Sequence, residues 1–269
     1  MKILYKLFLL TLLITVSSCS TTYKLKKDFN KHQKESEFFK GFVLYNPETR
    51  TQIINHNGSK FFTPASNTKL YTFYSAYKTL GDSLIGLEYH KNNDTLFIRG
   101  AADPSFLYEF EGSKTIPFLN SHIGPIVLLD ESLDDNRFGN GWSWEDYQYY
   151  YMPERSLFPM YGNVFTYAMK GDSIAAHPSY FKKHITVLDS TDMNREFEEN
   201  HFYLERQDST LNHIPFKTST KLVAELLSDT LQKPVFVMPQ KTDVYFKSLN
   251  SVAVDSVYKQ MLVVSDNFI

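Results

Sequence analysis

The stretch "FTPASNTKLYTFY", residues 62–74, places Ser66 three positions before Lys69. Residues three apart on a helix share one face, one turn apart. A serine and a lysine so placed form a nucleophile and a base, provided that the lysine gives up its proton. Its pKa must then fall from about 10.4 to about 7–8, a shift worth about 4 kcal/mol. Burial and nearby positive charge supply shifts of that size. The unpaired amides at a helix start add a positive field that favours an alkoxide and disfavours an ammonium.

The pattern Ser-x-x-Lys alone carries little information. It recurs at Ser75/Lys78, Ser179/Lys182 and Ser256/Lys259. Context singles out Ser66. Thr63 reads as an N-cap and Pro64 as the first helical residue. Leu70, Phe73 and Tyr77 follow at helical spacing and predict an apolar face. Ser75/Lys78 lies two turns further in, and the remaining pairs lack the Pro-Ala lead-in.

Elements that must position this pair are legible around it. "GFVLYNPETRTQIINHN" predicts a hairpin, with strands Phe42 to Tyr45 and Gln52 to Asn55 and a turn at residues 46–49. The Ser66 helix is expected to stop near Gly81. "TLFIRG", "GPIVLLD" and "KHITVLD" read as strands. "STKLVAELLSDTLQKP" reads as an amphipathic helix stopped by Pro234. "RFGNGWSWEDYQYYYMP" reads as an irregular surface element, in which Trp142 and Trp144 are taken as packing residues. The last residues, "DSVYKQMLVVSDNFI", have helical spacing and lead into Ser265-Asp266-Asn267.

The whole chain bounds its class. Its 269 residues are 42% hydrophobic and 16% aromatic, enough for a packed core. A net charge of −2 argues against nucleic acid as a partner. The eight histidines include no His-x-x-x-His pair, which gives a zinc site little support. The start is a targeting segment: Lys2 and Lys6 precede an apolar run from Leu7 to Val16. That run, about ten residues, is the length of a signal-peptide core rather than of a membrane span. Val16-Ser17-Ser18-Cys19 resembles a bacterial lipobox, which implies lipidation of Cys19, the only cysteine. The lysine-rich stretch from Ser20 to Glu37 reads as a tether. The expected compartment is the cell envelope, with a membrane anchor and the protein facing the periplasm.

Ser-x-x-Lys followed by Ser-Asp-Asn marks penicillin-binding proteins and class A β-lactamases, together with a third motif, Lys-Thr-Gly. Ser265 lies 199 positions after Ser66. That interval far exceeds the one in class A β-lactamases, and no Glu-x-x-Leu-Asn element falls within it. The long interval resembles the penicillin-binding protein 4 group, the S13 D-alanyl-D-alanine carboxypeptidases and endopeptidases. "IRGAADPSF" is similar to that family's Arg-Gly-x-x-Asp-Pro segment, with Ala101 and Ala102 where glycines are frequent. "RFGNGWSWEDYQYYYMPERSL" and "IPFKTSTKLVAELLSDTLQKPV" resemble two further stretches. The resemblance runs over most of residues 40–269.

The resemblance implies an α/β (α+β) fold: a serine β-lactamase/transpeptidase-like domain with a long mixed insertion between the two motifs. The expected division is a signal peptide at 1–18, the lipidated cysteine and tether at 19–38, transpeptidase-like residues at 39–88 and 246–269, and the insertion at 89–245. It also implies roles. Ser66 is the nucleophile, Lys69 the general base, Ser265 the proton relay, and Asn267 the group that positions substrate and Lys69. The implied substrates are peptidoglycan stem peptides, with β-lactams as inhibitors, and the resemblance implies that no metal or cofactor is needed. Judged from local residues alone, Ser265 reads as a helix N-cap and Asp103 as a turn residue.

Lys-Thr-Gly is missing. Lys-Thr occurs at Lys78, Lys114, Lys217 and Lys241, never with glycine next and always before Ser265. One oxyanion-hole donor is worth about 10²–10³ in rate. The domain is therefore expected to be incomplete, with most of the central sheet absent and only the hairpin left. This leaves three readings: a C-terminally truncated S13 enzyme, a non-catalytic truncated lipoprotein that binds wall peptides or a partner, and a β-lactamase or esterase.

Overall fold

A computed structural model describes residues 23–34, 37–108, 110–131, 133–171, 173–206, 210–239 and 244–269. The signal segment and Cys19 lie outside them. The chain divides into two compact units, which meet between Ala65 and Ser66.

The first unit contains a helix, α1 (residues 23–34), and a hairpin of β1 (Phe42–Asn46) and β2 (Thr51–His56). The hairpin is as expected, and its turn has a local cause. Asn46 Oδ1 accepts from the amides of Glu48 (2.9 Å) and Thr49 (3.2 Å), closing the turn by side chain. Part of the stretch read as a tether is thus helical. Phe29 of α1 stacks on Phe42 at 5.0 Å and meets His56 edge-on, so that helix has an apolar anchor on the hairpin.

The second unit is built on a five-stranded sheet of order β11-β5-β4-β3-β12. Its strands are β3 (Ser83–Asn92), β4 (Thr95–Gly100), β5 (Ile126–Asp130), β11 (Val235–Pro239) and β12 (Lys247–Ala253). β4, β5 and β11 run parallel, whereas β3 is antiparallel to both β4 and β12. In β5 the four residues Ile126 to Leu129 are all buried, as a parallel strand covered on both faces requires. Helix α4 (Thr220–Leu231) lies in the main core through Leu222, Val223, Leu226 and Leu227. Ser219 caps it by accepting from the Leu222 amide, and Gln232 ends it in a left-handed conformation before Pro234. A short helix, α3 (Thr115–Ser121), covers the same side through Leu119.

A second sheet of order β10-β6-β7 comprises β6 (Val164–Lys170), β7 (Ser173–His177) and β10 (Asn212–Pro215). β6 alternates: Phe165 and Tyr167 are buried, whereas Val164 and Thr166 face away. A parallel pair, β8 (Ile185–Leu188) and β9 (Phe202–Glu205), lies beside it. Phe165, Phe181, Phe202 and Phe216 form one aromatic cluster, with neighbouring ring centroids 4.7–5.5 Å apart.

Two helices frame the candidate site: α2 (Lys69–Thr79) and α5 (Val254–Val263). No described helix is long and apolar enough to cross a membrane.

Candidate active site

The Ser66 helix starts later than expected. Residues 63–65 are not helical, and the helix opens with a 3₁₀ turn, Ser66–Thr68, that runs into α2. Thr63 is therefore not the N-cap. In the tighter 3₁₀ winding, side chains at i and i+3 eclipse, which keeps Ser66 and Lys69 on one side. Ser66 is exposed.

The packed face of α2 also differs from the expected one. Leu70 and Tyr77 are each 61% exposed, and no residue of α2 is fully buried. Phe73 and Ala76 instead pack against Val254, Tyr258 and Met261 of α5, with Phe73 meeting the Tyr258 ring edge-on at 5.0 Å. Lys69, Phe73 and Ala76 are spaced i, i+4, i+7 and so share a stripe. The contact that joins α2 to α5 therefore also carries Lys69 towards the end of α5. Lys69 Nζ donates to Asn267 Oδ1 there, across 198 residues of chain.

Ser265 is not a helix N-cap. It follows the end of α5 in the left-handed region, at φ 59°. A non-glycine residue pays for that conformation with strain, and such residues concentrate at functional sites. No helix follows Ser265; instead Asp266 closes a local turn, its Oδ1 accepting from the amides of Phe268 (2.8 Å) and Ile269 (3.4 Å). Its Oδ2 accepts from the Tyr108 hydroxyl at 2.7 Å.

Tyr108 is held by a feature that local pattern does not reveal. Tyr161, Gly162 and Asn163 are three consecutive left-handed residues. Buried Asn163 locks them: its Nδ2 donates to Glu154 O (2.8 Å) and Ser156 Oγ (3.1 Å), and its Oδ1 accepts from the Met160 amide (3.1 Å). A Cβ on Gly162 would lie 2.6 Å from the Tyr108 ring. Glycine here lets the ring close down, and the ring's hydroxyl then fixes Asp266 between Ser265 and Asn267. Gly162→Ala should cost about 1–3 kcal/mol, from left-handed strain and the displaced ring. It should also slow any reaction that depends on the Ser265–Asn267 geometry. Thermal unfolding and penicillin-labelling rates measured on one variant check both parts.

Lys69 and Asn267 wall a cleft of about 670 Å³ with Thr68, Thr72, Trp142 and Asp146. Ser265 does not line it; with Asn267 it lines a neighbouring cavity of about 650 Å³. The structure thus joins Lys69 to Asn267 directly; Ser66 precedes Lys69 by one turn and lines neither cavity, and Ser265 lines only the second. Trp142 and Trp144 pack on neighbouring residues as expected, but at the surface rather than in the core. Trp142 is 40% exposed and lies over Gly139 at the cleft, and Trp144 is 66% exposed with its edge to Phe197. Asp146 adds a carboxylate to the cleft wall that sequence reasoning did not single out.

Asp103 is a turn residue, its Oδ1 accepting from the Ser105 amide at 2.9 Å, but it is buried and does not line the cleft. Ala102 just before it is left-handed, at φ 55°, the conformation for which glycine is the usual residue. The departure from the expected glycine thus falls on a strained position.

Comparison with known proteins identifies the family and the fold. The model of the D-Ala-D-Ala carboxypeptidase 3 (S13) family matches residues 25–178. No curated protein matches the chain. Penicillin binding protein 4 from Haemophilus influenzae is similar in structure, with a TM-score of 0.61 and 16% identity, over 85% of this chain and 60% of that one. The same protein complexed with a novel β-lactam gives a TM-score of 0.55 and 15% identity, over 84% and 58%. This chain therefore spans about three fifths of the length of those structures and shares their mixed α/β fold. On the family match, which covers more than half of its residues, the chain belongs to the D-Ala-D-Ala carboxypeptidase 3 (S13) family.

Proposed function

We propose that the protein is a serine-type D-Ala-D-Ala carboxypeptidase or endopeptidase of peptidoglycan stem peptides, acting through an acyl-enzyme at Ser66. The observation that carries this reading is the hydrogen bond from Lys69 Nζ to Asn267 Oδ1, which unites two motifs far apart in sequence. Ser66 Oγ attacks the carbonyl carbon of the scissile amide, and its proton passes to Lys69. The C–N bond then breaks, and Ser265 relays a proton to the departing amine. Water hydrolyses the ester and restores the Ser66 hydroxyl. Asn267 holds both the Lys69 side chain and the substrate amide. A β-lactam follows the same first step, but its opened ring stays attached to the acyl group. Membership of the S13 family and the fold shared with a penicillin-binding protein support this.

The pairing of β3 with β12 supports reading residues 89–245 as an insertion. Tyr89 lies opposite Lys247 and Glu88 opposite Ser248, so both ends of the segment meet on one sheet. Release of D-alanine from a peptide ending in D-Ala-D-Ala tests the function. It is expected from the wild-type protein and not from Ser66→Ala; equal release from both would refute the assignment.

Anchoring through Cys19 belongs to the same proposal and places the protein at the cell envelope. Cys19→Ala should move the protein from the membrane to the soluble fraction. Retention of the variant in washed membranes would contradict a lipid anchor.

A further inference from the structure

The 650 Å³ cavity beyond Ser265 and Asn267 has a wall that the proposed chemistry does not use. Across the second sheet, His213 of β10, Thr166 of β6 and His177 of β7 lie directly opposite one another. Their row lines the cavity, because Phe165 and Tyr167 turn to the core on the other face of β6. His213 Nδ1 and Thr166 Oγ1 are 3.1 Å apart, a bond that orients the first imidazole. His177 meets the Tyr161 ring edge-on at 5.1 Å, which orients the second. Tyr108, Tyr150 and Gln260 also line the cavity.

The charge of this lining is selective. Among the described residues, no lysine or arginine reaches it, and its one carboxylate, Asp266, is engaged by Tyr108 and by the Phe268 amide. A phosphate or carboxylate ligand would find no lysine or arginine among the described lining residues. A purely aliphatic chain would desolvate two imidazoles and a threonine hydroxyl without offering them hydrogen bonds. What suits a lining that interleaves tyrosine rings with imidazole and hydroxyl groups is an uncharged ring with polar groups at its edge and C–H on its faces. The volume falls within the usual range of ligand pockets.

We infer that this cavity is a saccharide subsite, which takes an N-acetylated sugar ring of the glycan next to the stem peptide held at Asn267. The chemical class of the ligand follows from the lining; its identity as wall glycan rests on the peptidoglycan reading above. The site would make the protein recognise the peptide together with the sugar strand that carries it.

The test uses the full protein purified from its own membranes and a peptide-free tetramer of N-acetylglucosamine, titrated by calorimetry. Fluorescent-penicillin labelling is measured on the same samples. Saturable binding is expected for the wild type, weakened about tenfold or more by His177→Ala/His213→Ala, as loss of about 1.4 kcal/mol or more would give. Thr166→Val, nearly isosteric, should weaken binding in the same direction, and penicillin labelling should be unchanged in all variants. Absence of saturable binding, or binding that these substitutions leave untouched, would overturn the subsite. Sugar binding that depends on the histidines in a protein that takes no penicillin would keep the subsite and remove the serine chemistry. Labelling without sugar binding would do the reverse.

Discussion

Lys69→Met should slow acylation of Ser66 by a β-lactam about 10²–10⁴-fold, the usual worth of a positioned general base. The more telling variant is Lys69→Arg. It offers a positive charge and a donor on a side chain long enough to reach Asn267, yet a guanidinium does not give up its proton in proteins. If Lys69 only anchored Asn267 by charge, arginine would restore much of the rate. If Lys69 accepts the Ser66 proton, arginine should be nearly as slow as methionine. Asn267→Ala should give a smaller loss, because it removes the partner of Lys69 and leaves the base in place. Stopped-flow labelling with a chromogenic cephalosporin separates the three. Substantial activity in Lys69→Arg would show that the lysine is structural.

Arg195→Met should be the most damaging substitution outside the candidate site, costing about 3–5 kcal/mol of folding stability. Arg195 is 1% exposed. Its Nη1 donates to three backbone carbonyls, Glu196 O at 2.6 Å and Phe197 O and Glu199 O at 3.2 Å. Its guanidinium lies over the Tyr147 ring at 5.0 Å, and the Tyr147 hydroxyl donates to Arg195 O at 2.7 Å. Burial pushes the Arg195 pKa below its ordinary value, while nearby Glu154 and Tyr147 oppose that shift. Methionine would fill the space but leave the three carbonyls without this donor. The effect should extend to the cleft. Phe197 packs on Tyr147 and Trp144, and the Asn194 amide donates to Gln148 Oε1, so this loop braces the 3₁₀ turn Trp144–Gln148 that carries Asp146. Urea unfolding measures the stability. A loss under about 1 kcal/mol, the scale of a surface change, would contradict this role.

Local grammar made much of the scaffold legible. The hairpin around Asn46, the buried strand Ile126–Asp130 and the helix closed by Gln232 and Pro234 all follow signals contained within a few residues. So does the helix that ends just before Ser265. The start of α2 was misread, because the Thr63-Pro64 signal is a short-range preference and the chain instead begins winding as a 3₁₀ turn. The apolar face of α2 was misjudged for a similar reason. Several aromatic residues offer overlapping stripes, and only the contact with Tyr258 selects the one through Phe73. Tyr108 and Gly162 could not be found from pattern. They meet Asp266 only through a long-range fold, and neither lies in a motif. The histidine–threonine row was equally hidden, since it depends on the register of three strands separated by loops. In the sequence, Ser66, Lys69, Ser265 and Asn267 were visible as motifs. The structure adds the direct contact between the second and the fourth.

The most direct test of the central claim is fluorescent-penicillin labelling of the source cell's membrane fraction, with a Ser66→Ala strain run alongside. The account predicts a labelled band in the wild type that disappears in the Ser66→Ala strain while the protein itself remains detectable by antibody. A band of equal intensity in both strains, or protein present in the wild type with no label, would contradict acyl-enzyme chemistry at Ser66.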